Sequence, residues 1–378
     1  MHTKSFARAL AAGLMATALT VAAAGCGGSD DTSSSSSGGG QTTAGGGGGG
    51  EKIAFLLPEN KTARYEAQDK PDFIAKVKQL CPSCEVIYEN AGQDAAKQQQ
   101  QAEAALTRGA KVLVLDAVDV ASAASIVNRA KQSDVPVISY GRLVSNADLD
   151  YYVSIDPYKV GQQQAHVQLD ALKKQGTAQP RIVMINGSPT DSNAAPYKKG
   201  AEDVFKQAGA KVVKSYDTAD WSPDKAQQEM EQAITALGKS GFDGVYVAND
   251  GMAGGAIAAM KSAGLDPAKF AVTGQDAELT GVQRILTGEQ LMTVYQPIGK
   301  IAATSAELAV PLAQGKQPPN IATAKTDNGQ EQVPSVLLDT IAINKSNIED
   351  PLIKDGFITA SDLCAGQYAS ACKKAGIT

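Results

Sequence analysis

The residues of this 378-residue chain that could do chemistry stand mostly at the ends of short apolar runs. They are rich in Asp, Asn, Gln and Arg, and poor in hydroxyl or thiol nucleophiles with a base beside them. The set comprises Glu59, Asn60, Asp116, Arg142, Asp191, Asn193, Asn249, Asp250, Gln275, Asp276 and Gln296. Side chains of these types donate and accept hydrogen bonds, so they favour recognition of a polar molecule over cleavage of a bond.

A monosaccharide is a ligand that such side chains would satisfy. Each of its hydroxyls donates and accepts a hydrogen bond, and its C–H faces are apolar. Carboxylates and amide oxygens accept from hydroxyls, Arg and amide NH₂ groups donate, and an aromatic ring covers an apolar face. The candidate contacts are Arg64, Tyr65, Arg142, Asp191, Asn193, Trp221, Asn249, Asp250 and Asp276.

Each of these residues also has a structural interpretation. An Asp or Asn after a strand is most often a helix N-cap or a turn residue. Trp221 precedes Ser222 and Pro223, so it could pack over a helix start that Ser222 caps. Arg64 could be a solvated helix charge, and His166 has no second histidine near it in sequence, which favours a surface or packing role.

Alternating strand and helix patterns must position these side chains. The strand candidates are 53–57, 86–88, 112–115, 137–140, 152–155, 182–185, 212–216, 244–248, 270–273 and 292–295, and the amphipathic helical segments include 95–108, 120–132, 160–174, 223–237 and 299–314. This rhythm predicts parallel sheets covered on both faces, with ligands beyond the carboxyl ends of the strands. Ten units and a break near 141–154 favour two doubly wound lobes; a closed eight-fold barrel is the alternative.

Composition and motifs exclude several classes of protein. Lys and Arg total 35 against 40 Asp plus Glu, a formal net charge of −5, so no general positive field attracts a nucleic acid. Only two histidines are present, which disfavours a His-rich metal site. Gly238-Lys239-Ser240 has Ala233 where a phosphate-binding loop needs its first Gly, and 251–255 does not fit a dinucleotide fingerprint. We expect no cofactor and no metal.

The N-terminal 50 residues predict export. Residues 1–25 carry Lys4 and Arg8 before an apolar run, which indicates a secretory signal rather than a spanning helix. The end of that run resembles the lipobox of bacterial lipoproteins, in which Cys26 would be lipidated. Residues 27–50 hold 11 Gly and 6 Ser, a composition typical of a flexible tether. The prediction is a body anchored by lipid at the outer face of the bacterial cell membrane.

Four further cysteines fit an oxidising compartment. Cys81 and Cys84 are separated by two residues, and Cys364 and Cys372 lie near the C-terminus. We predict two local disulfides, 81 with 84 and 364 with 372. A thioredoxin-like redox pair at Cys81 and Cys84, or a metal site, is the alternative, but this pair follows a helical stretch instead of opening a helix.

A series of ordered motifs resembles a known family. These motifs are Pro58-Glu59-Asn60, Ala63-Arg64-Tyr65, Ser139-Tyr140-Gly141-Arg142, Asn146-Ala147-Asp148, Gly187-Ser188-Pro189-Thr190-Asp191-Ser192-Asn193, Ala248-Asn249-Asp250, Gly274-Gln275-Asp276-Ala277 and Met292-Thr293-Val294-Tyr295. From about residue 52 to about 357 the chain is similar to the periplasmic sugar-binding proteins of the xylose-binding type. The resemblance implies two doubly wound lobes joined by a hinge, the type I periplasmic binding protein fold. It also implies one aldose in the cleft and delivery to an ABC permease; we expect a monomer.

The resemblance also divides the chain and assigns roles. The N-terminal lobe would span 51–154 plus about 297–330, and the C-terminal lobe 155–296 plus about 331–358, leaving 359–378 as a tail outside the similarity. Arg64 and Arg142 would donate to sugar oxygens, Asp191 and Asn193 would contact the sugar from the second lobe, Asn249 and Asp276 would bind hydroxyls, and Tyr65 and Trp221 would lie against the sugar faces.

Two departures from the family pattern bear on specificity. The xylose-binding type has Asp before the arginine where this chain has Gly141, and Lys after the Val-Tyr pair where this chain has Gln296. One acceptor and one cationic donor are therefore absent together. An unpaired buried polar group costs about 1 to 3 kcal/mol, which is enough to change sugar preference, so the expectation is an aldose and not xylose in particular.

Three functional hypotheses remain at this point. The first is an exported lipoprotein that closes its lobes on a monosaccharide and delivers it to an ABC transporter. The second is a sensory module whose closed complex docks on a membrane receptor or sensor kinase. The third is an enzyme, either a hydrolase with Asp250 and Asp276 or a thiol oxidoreductase with Cys81 and Cys84. A sugar-responsive repressor is disfavoured by the export signal and by the absence of a helix-turn-helix before residue 52.

Overall fold

The computed structural model describes residues 50–377. The predicted signal segment, Cys26 and almost all of the predicted tether lie outside the described residues. Within 50–377, no helix combines the length and the apolar character needed to span a membrane.

Strands and helices alternate through most of the described chain. The strands are β1 (Lys52–Leu57), β2 (Glu85–Asn90), β3 (Ala110–Leu115), β4 (Val137–Tyr140), β5 (Tyr151–Ile155), β6 (Arg181–Asn186), β7 (Lys211–Asp217), β8 (Gly244–Val247), β9 (Met292–Tyr295), β10 (Ala324–Asp327), β11 (Gln332–Leu338) and β12 (Ile341–Asn344). The helices are α1 (Lys70–Leu80), α2 (Ala95–Thr107), α3 (Ala124–Lys131), α4 (Pro157–Lys174), α5 (Ala194–Gln207), α6 (Pro223–Leu237), α7 (Asp250–Ser262), α8 (Leu279–Thr287), α9 (Ile298–Ala313), α10 (Ala360–Leu363) and α11 (Ala369–Ala375).

The first half of the molecule is built on a seven-stranded sheet. Its strand order is β10-β11-β5-β4-β3-β1-β2, and all pairs are parallel except β10 with β11. Every residue of β1 after Lys52 is fully buried, because helices cover both faces of this central strand. Phe55 packs in the cluster that contains residues of α1 and α9, and Leu56 packs with residues of α2 and α3.

The second half contains a three-stranded parallel sheet, β7-β6-β8, and an antiparallel pair, β9 with β12. The segment 270–273, predicted as a strand, lies between them without forming one. Val245 N–H donates to Phe270 O (3.0 Å), but the next ladder position is taken by a side chain, since Val247 N–H donates to Thr273 Oγ1 (2.8 Å). The threonine hydroxyl therefore replaces a backbone acceptor and interrupts the regular pairing.

The chain passes between the halves three times. It leaves the first sheet after β5, because α4 packs on α5 in the second half. It returns between β9 and α9, which packs on α1, and it crosses again between β11 and β12. The prediction of two doubly wound α/β lobes is confirmed.

The structure corrects one predicted lobe boundary. Residues 332–338 form β11, which pairs in parallel with β5 of the first sheet, so they do not belong to the C-terminal lobe as the assignment of 331–358 required. The second return lies after Leu338 instead of near residue 330. An antiparallel hairpin with β10 extends the first sheet at this edge.

The C-terminal tail packs against α8. Leu363, Cys372 and Ile377 are buried in a cluster with Val282 and Leu286 of that helix. The Sγ atoms of Cys364 and Cys372 lie 2.08 Å apart, and those of Cys81 and Cys84 lie 2.06 Å apart, so both predicted pairs are at disulfide distance.

Candidate binding site

A polar cavity opens between the two halves, with about 460 Å³ of atom-free space that includes the solvent at its mouth. Its walls are formed mainly by residues that follow strands of both sheets, as expected for parallel α/β sheets. It is lined by Thr62, Arg64, Tyr65, Gly141, Arg142, Ser154, Asp191, Asn193, Tyr197, Trp221, Asn249, Gln275, Asp276, Gln296 and Ile301. All predicted ligand contacts except Asp250 therefore lie together at this cavity.

The first half contributes two guanidinium groups, Arg142, which is buried, and Arg64, whose side chain is 10% exposed. Arg142 follows β4; its Nη1 donates to Ala117 O (2.9 Å), and its Nε lies 2.8 Å from Asp191 Oδ2 of the second half. Arg64 lies 3.4 Å from Asp69 Oδ1, and its guanidinium stands 4.6 Å from the centroid of the Tyr65 ring. Arg64 is therefore a partly buried cation of the cavity wall and not a solvated helix charge.

The second half contributes carboxylate and amide groups. Asp191 Oδ2 accepts from Trp221 Nε1 (3.1 Å) in addition to facing Arg142, and Asn193 Nδ2 donates to Gly141 O (3.0 Å) across the cleft. Asp276 Oδ1 accepts from Gln296 Nε2 (2.8 Å). Burial raises the pKa of Asp276 to about 6. The cavity thus sets cations of one half against acceptors of the other.

Aromatic rings line the same space. The Trp221 and Tyr197 rings meet edge to face with centroids 6.4 Å apart. Trp221 is almost fully buried and lies directly against Gly187, where a Cβ atom would overlap the indole. Gly187 is therefore needed for the indole to reach the cavity. These rings offer apolar faces of the kind that cover sugar C–H groups.

Two candidate contacts, Asn249 and Trp221, line the cavity and also lie at the start of a helix. Asn249 Oδ1 accepts from Met252 N–H (3.0 Å) and caps α7, yet the same side chain lines the cavity. Ser222 Oγ accepts from Lys225 N–H (3.4 Å) and caps α6 directly after Trp221. The structural and the binding interpretations are therefore compatible at these positions.

Asp250 is not part of the cavity wall, and its prediction as a ligand contact is corrected. It is the first residue of α7 and is fully buried. Its carboxylate accepts from Gln290 Nε2 (2.6 Å), Thr293 Oγ1 (2.8 Å) and Glu278 N–H (2.9 Å). These donors hold the Asp250 carboxylate within the fold, away from the cavity wall.

Six cavity residues were not among the predicted contacts: Thr62, Gly141, Ser154, Tyr197, Gln275 and Ile301. Tyr197 lies four residues after Asn193 on α5, a spacing that puts both on one helix face. Ser154 stands near the end of β5, and Gln275 follows the segment 270–273 that was predicted as a strand. Thr62 and Ile301 carry no sequence signal that separates them from ordinary loop and helix residues.

The described residues 50–377 contain no group of three or more His, Cys, Asp or Glu side chains placed to hold a metal ion. The pair Asp250 and Asp276 does not face a common space, because only Asp276 lines the cavity. Asp250 and Asp276 therefore do not form the pair of facing carboxylates that glycoside hydrolysis requires.

Comparison with known proteins agrees with this geometry. Residues 53–317 match the family model described as periplasmic binding protein domain. The D-xylose-binding periplasmic protein of Escherichia coli (strain K12) is 37% identical over 316 residues, covering 82% of this chain and 92% of that protein. The protein of the same name from Haemophilus influenzae is 38% identical with the same coverage. An ABC transporter solute-binding protein from Clostridium phytofermentans, solved with β-D-glucose, superposes with a TM-score of 0.74 at 27% identity, covering 83% of this chain and 100% of that one.

Two α/β halves around a polar interlobe cavity define the class of proteins with the type I periplasmic binding protein fold. The chain belongs to the periplasmic binding protein family. The resemblance to members of the xylose-binding type is confirmed. The protein is accordingly a binding protein and not an enzyme, which excludes the hydrolase and oxidoreductase alternatives.

Proposed function

We propose that the protein binds one xylose-like aldose in the cavity between its halves and delivers it to an ABC transporter. The observation that carries this proposal is the facing arrangement of Arg142 and Asp191 at 2.8 Å, with Trp221 bonded to the same carboxylate. A hydrogen-bond donor, an acceptor and an aromatic ring meet at this point, and these are the groups that bind the hydroxyls and the C–H faces of a sugar. Relatives named as D-xylose-binding proteins support the choice of ligand class.

Closure of the halves is the proposed signal to the permease. Arg142 with Asp191 and Asn193 with Gly141 are contacts between the halves, so they form only when the halves approach. A ligand that bonds to both walls adds its own binding energy to the closed state and shifts the population toward it. The permease would recognise the surface of that closed state.

The departures at Gly141 and Gln296 bear on which aldose is preferred. Both residues line the cavity, so both alter the set of groups that sugar hydroxyls meet. Gln296 donates to Asp276 as a neutral amide where a lysine would place a positive charge. We therefore propose an aldose specificity related to that of the xylose-binding relatives and shifted at the hydroxyls facing these two residues.

Export and anchoring complete the proposal. Cys26 would carry the lipid, residues 27–50 would form the tether, and Cys81–Cys84 and Cys364–Cys372 would be oxidised outside the cytoplasm. Cys26→Ser would release the protein from the membrane fraction if this is right. Retention of the variant in that fraction would contradict the anchor. The sensory alternative gains no support from the comparisons.

Thermal unfolding of the purified protein against a ligand panel tests the binding proposal. The panel contains aldopentoses, aldohexoses, ketoses, cyclitols and amino acids at millimolar concentration. A ligand present at about a thousand times its dissociation constant stabilises by roughly 4 kcal/mol, which raises Tm by several degrees. We expect this rise for one or two aldoses recovered chemically intact, and a panel in which only ketoses or amino acids stabilise would contradict the proposal.

A further inference from the structure

A second buried carboxylate stands beside the cavity with no function in the contacts described above. Asp116 directly follows β3 and is fully buried. Its backbone is held, since Asp116 N–H donates to Leu56 O (2.9 Å) and Gln98 Nε2 donates to Asp116 O (2.8 Å). Within residues 50–377, however, neither carboxylate oxygen has a hydrogen-bond donor. The side chain therefore does not help to hold the local backbone.

Such a carboxylate is costly to the ligand-free fold. A buried charged group without hydrogen bonds loses its hydration, and burial raises the pKa of Asp116 to about 8 even though Arg142 and Arg64 lower it. Arg142 Nε lies 3.5 Å from Asp116 Oδ1, so a cation is near while hydrogen-bond donors are missing. A buried polar group without hydrogen-bond partners in a native protein requires an explanation. For Asp116, a ligand whose hydroxyls donate hydrogen bonds to the carboxylate would be such an explanation.

Gly141 connects this carboxylate to the cavity. Gly141 lines the cavity and has a φ of +65°, and a Cβ atom there would lie 2.7 Å from Asp116 Oδ2 and 3.3 Å from its Cγ. The Asp116 carboxylate therefore occupies the space in which a side chain at position 141 would begin. The absence of a side chain at Gly141 leaves this edge of the carboxylate next to the cavity wall.

We propose that Asp116 is the hydroxyl-accepting carboxylate of the first half, reached by the sugar across the gap at Gly141. This inference rests on the proposed function. A sugar hydroxyl donates one hydrogen bond and accepts others, and the neighbouring Arg142 is the matching donor for the same part of the ring. Asp116 thereby supplies from β3 the acceptor that is absent at position 141.

A swap of the carboxylate between the two positions tests this inference. The variants are Asp116→Asn, Asp116→Ala, Gly141→Asp and the double variant Asp116→Ala/Gly141→Asp, with titration calorimetry against the aldose that stabilises the unaltered protein. Asp119→Asn is the matched control, because Asp119 lies three residues later and accepts only from Ala121 and Ser122 N–H on the surface.

Each single variant should bind at least tenfold more weakly than the unaltered protein. Asp116→Asn and Asp116→Ala remove the acceptor, and Gly141→Asp forces a second carboxylate against the first. The double variant should recover affinity to within about fivefold of the unaltered protein, since it restores one carboxylate at the same wall. Asp119→Asn should bind normally.

A second readout separates binding from folding. Asp116→Asn should leave the Tm of the ligand-free protein unchanged or higher, because it replaces a buried acid group whose oxygens have no hydrogen-bond donor. Binding by Asp116→Asn within twofold of the unaltered protein, or a double variant no better than the singles, would overturn the inference while leaving sugar binding intact. An unaltered protein that binds no aldose would overturn the proposed function, and this inference with it.

Discussion

Asp250 and Asp276 follow neighbouring buried segments of the second half, yet Asp250 lies in the interior of the fold and Asp276 lies in the wall of the cavity. The carboxylate of Asp250 accepts from Gln290, Thr293 and Glu278 N–H at 2.6 to 2.9 Å. The carboxylate of Asp276 accepts at 2.8 Å from Gln296, with Gln275 at 3.5 Å, and lines the cavity. Burial raises the pKa of both, to about 7 for Asp250 and about 6 for Asp276.

Asp250 and Asp276 are both buried, yet only Asp276 lines the cavity, so burial alone does not identify a binding carboxylate in this fold. The space around Asp250 is shaped for it, because a Cβ atom at Gly274 or Gly281 would overlap its carboxylate. Asp276 has fewer protein donors and faces the cavity, so a ligand can complete its hydrogen bonds. The number of donors that the protein itself supplies therefore separates Asp250, which is held within the fold, from Asp276, which we propose as a ligand contact.

The largest effect should come from Asp250→Ala, measured as the free energy of unfolding in urea. We expect a loss of about 3 to 5 kcal/mol, because the substitution leaves the buried donors of Gln290 and Thr293 unpaired. Asp224→Ala is the matched control, since Asp224 also lies in the first turn of a helix but is exposed. Similar losses in the two variants would erase the distinction between the two regions.

Asp276→Asn should produce the reverse pattern. Affinity for the aldose should fall roughly ten- to a hundredfold, since a hydrogen bond to a charged group contributes about 1.5 to 3 kcal/mol. The free energy of unfolding without ligand should change by less than about 1 kcal/mol. Titration calorimetry measures the affinity, and Asp170→Asn, an exposed position on α4, serves as the control. Undiminished affinity would remove Asp276 from the site.

Much of the fold was predictable because buried parallel strands are continuous apolar runs. The strands 137–140 and 292–295 have the predicted bounds. The hairpin of β10 and β11 was missed, since Ala324–Asp327 is half exposed and Gln332–Leu338 contains a proline, so neither has the apolar run of a central strand. The segment 270–273 was predicted as a strand because its sequence cannot reveal that Thr273 would use its hydroxyl in the ladder.

The location of the site was also predictable, whereas the direction of individual side chains was not. Residues after strands line the cavity as expected, but Asn249 and Asp250 are adjacent and only Asn249 faces it. Asn249 caps α7 and turns the chain, so Asp250 starts the helix and points into the interior. Tyr197 was missed because a residue within a helix carries no strand-end signal.

The pH dependence of binding should distinguish the two carboxylates further. If the ionised form of Asp276 accepts from the sugar, the contribution of Asp276 to affinity is complete above a pKa of about 6, and this contribution falls toward tenfold per unit below it. The raised pKa has the opposite effect on the ligand-free fold: this group's contribution to stability is greatest below its unfolded pKa and is lost as pH rises to about 6. Asp116, Asp250 and Glu278 also have pKa values raised by burial.

Comparison of the unaltered protein with Asp276→Asn isolates this group from the others. Between pH 7 and pH 5, affinity should fall about tenfold more in the unaltered protein than in the variant. Calorimetric titrations at matched ionic strength provide the measurement. An equal fall in both proteins would assign the dependence to a carboxylate other than Asp276.

The smallest effect should come from Gln296, which is both a protein donor to Asp276 and a residue of the cavity wall. Its amide donates to Asp276 and lines the cavity, so Gln296→Ala removes one neutral donor from a carboxylate that already has few. Affinity should fall about fivefold, the value of an ordinary hydrogen bond near 1 kcal/mol. Loss of a donor to the ionised carboxylate should also move the midpoint of the pH profile upward. A midpoint that stays in place would mean that the ligand, and not Gln296, sets the charge state of Asp276 in the complex.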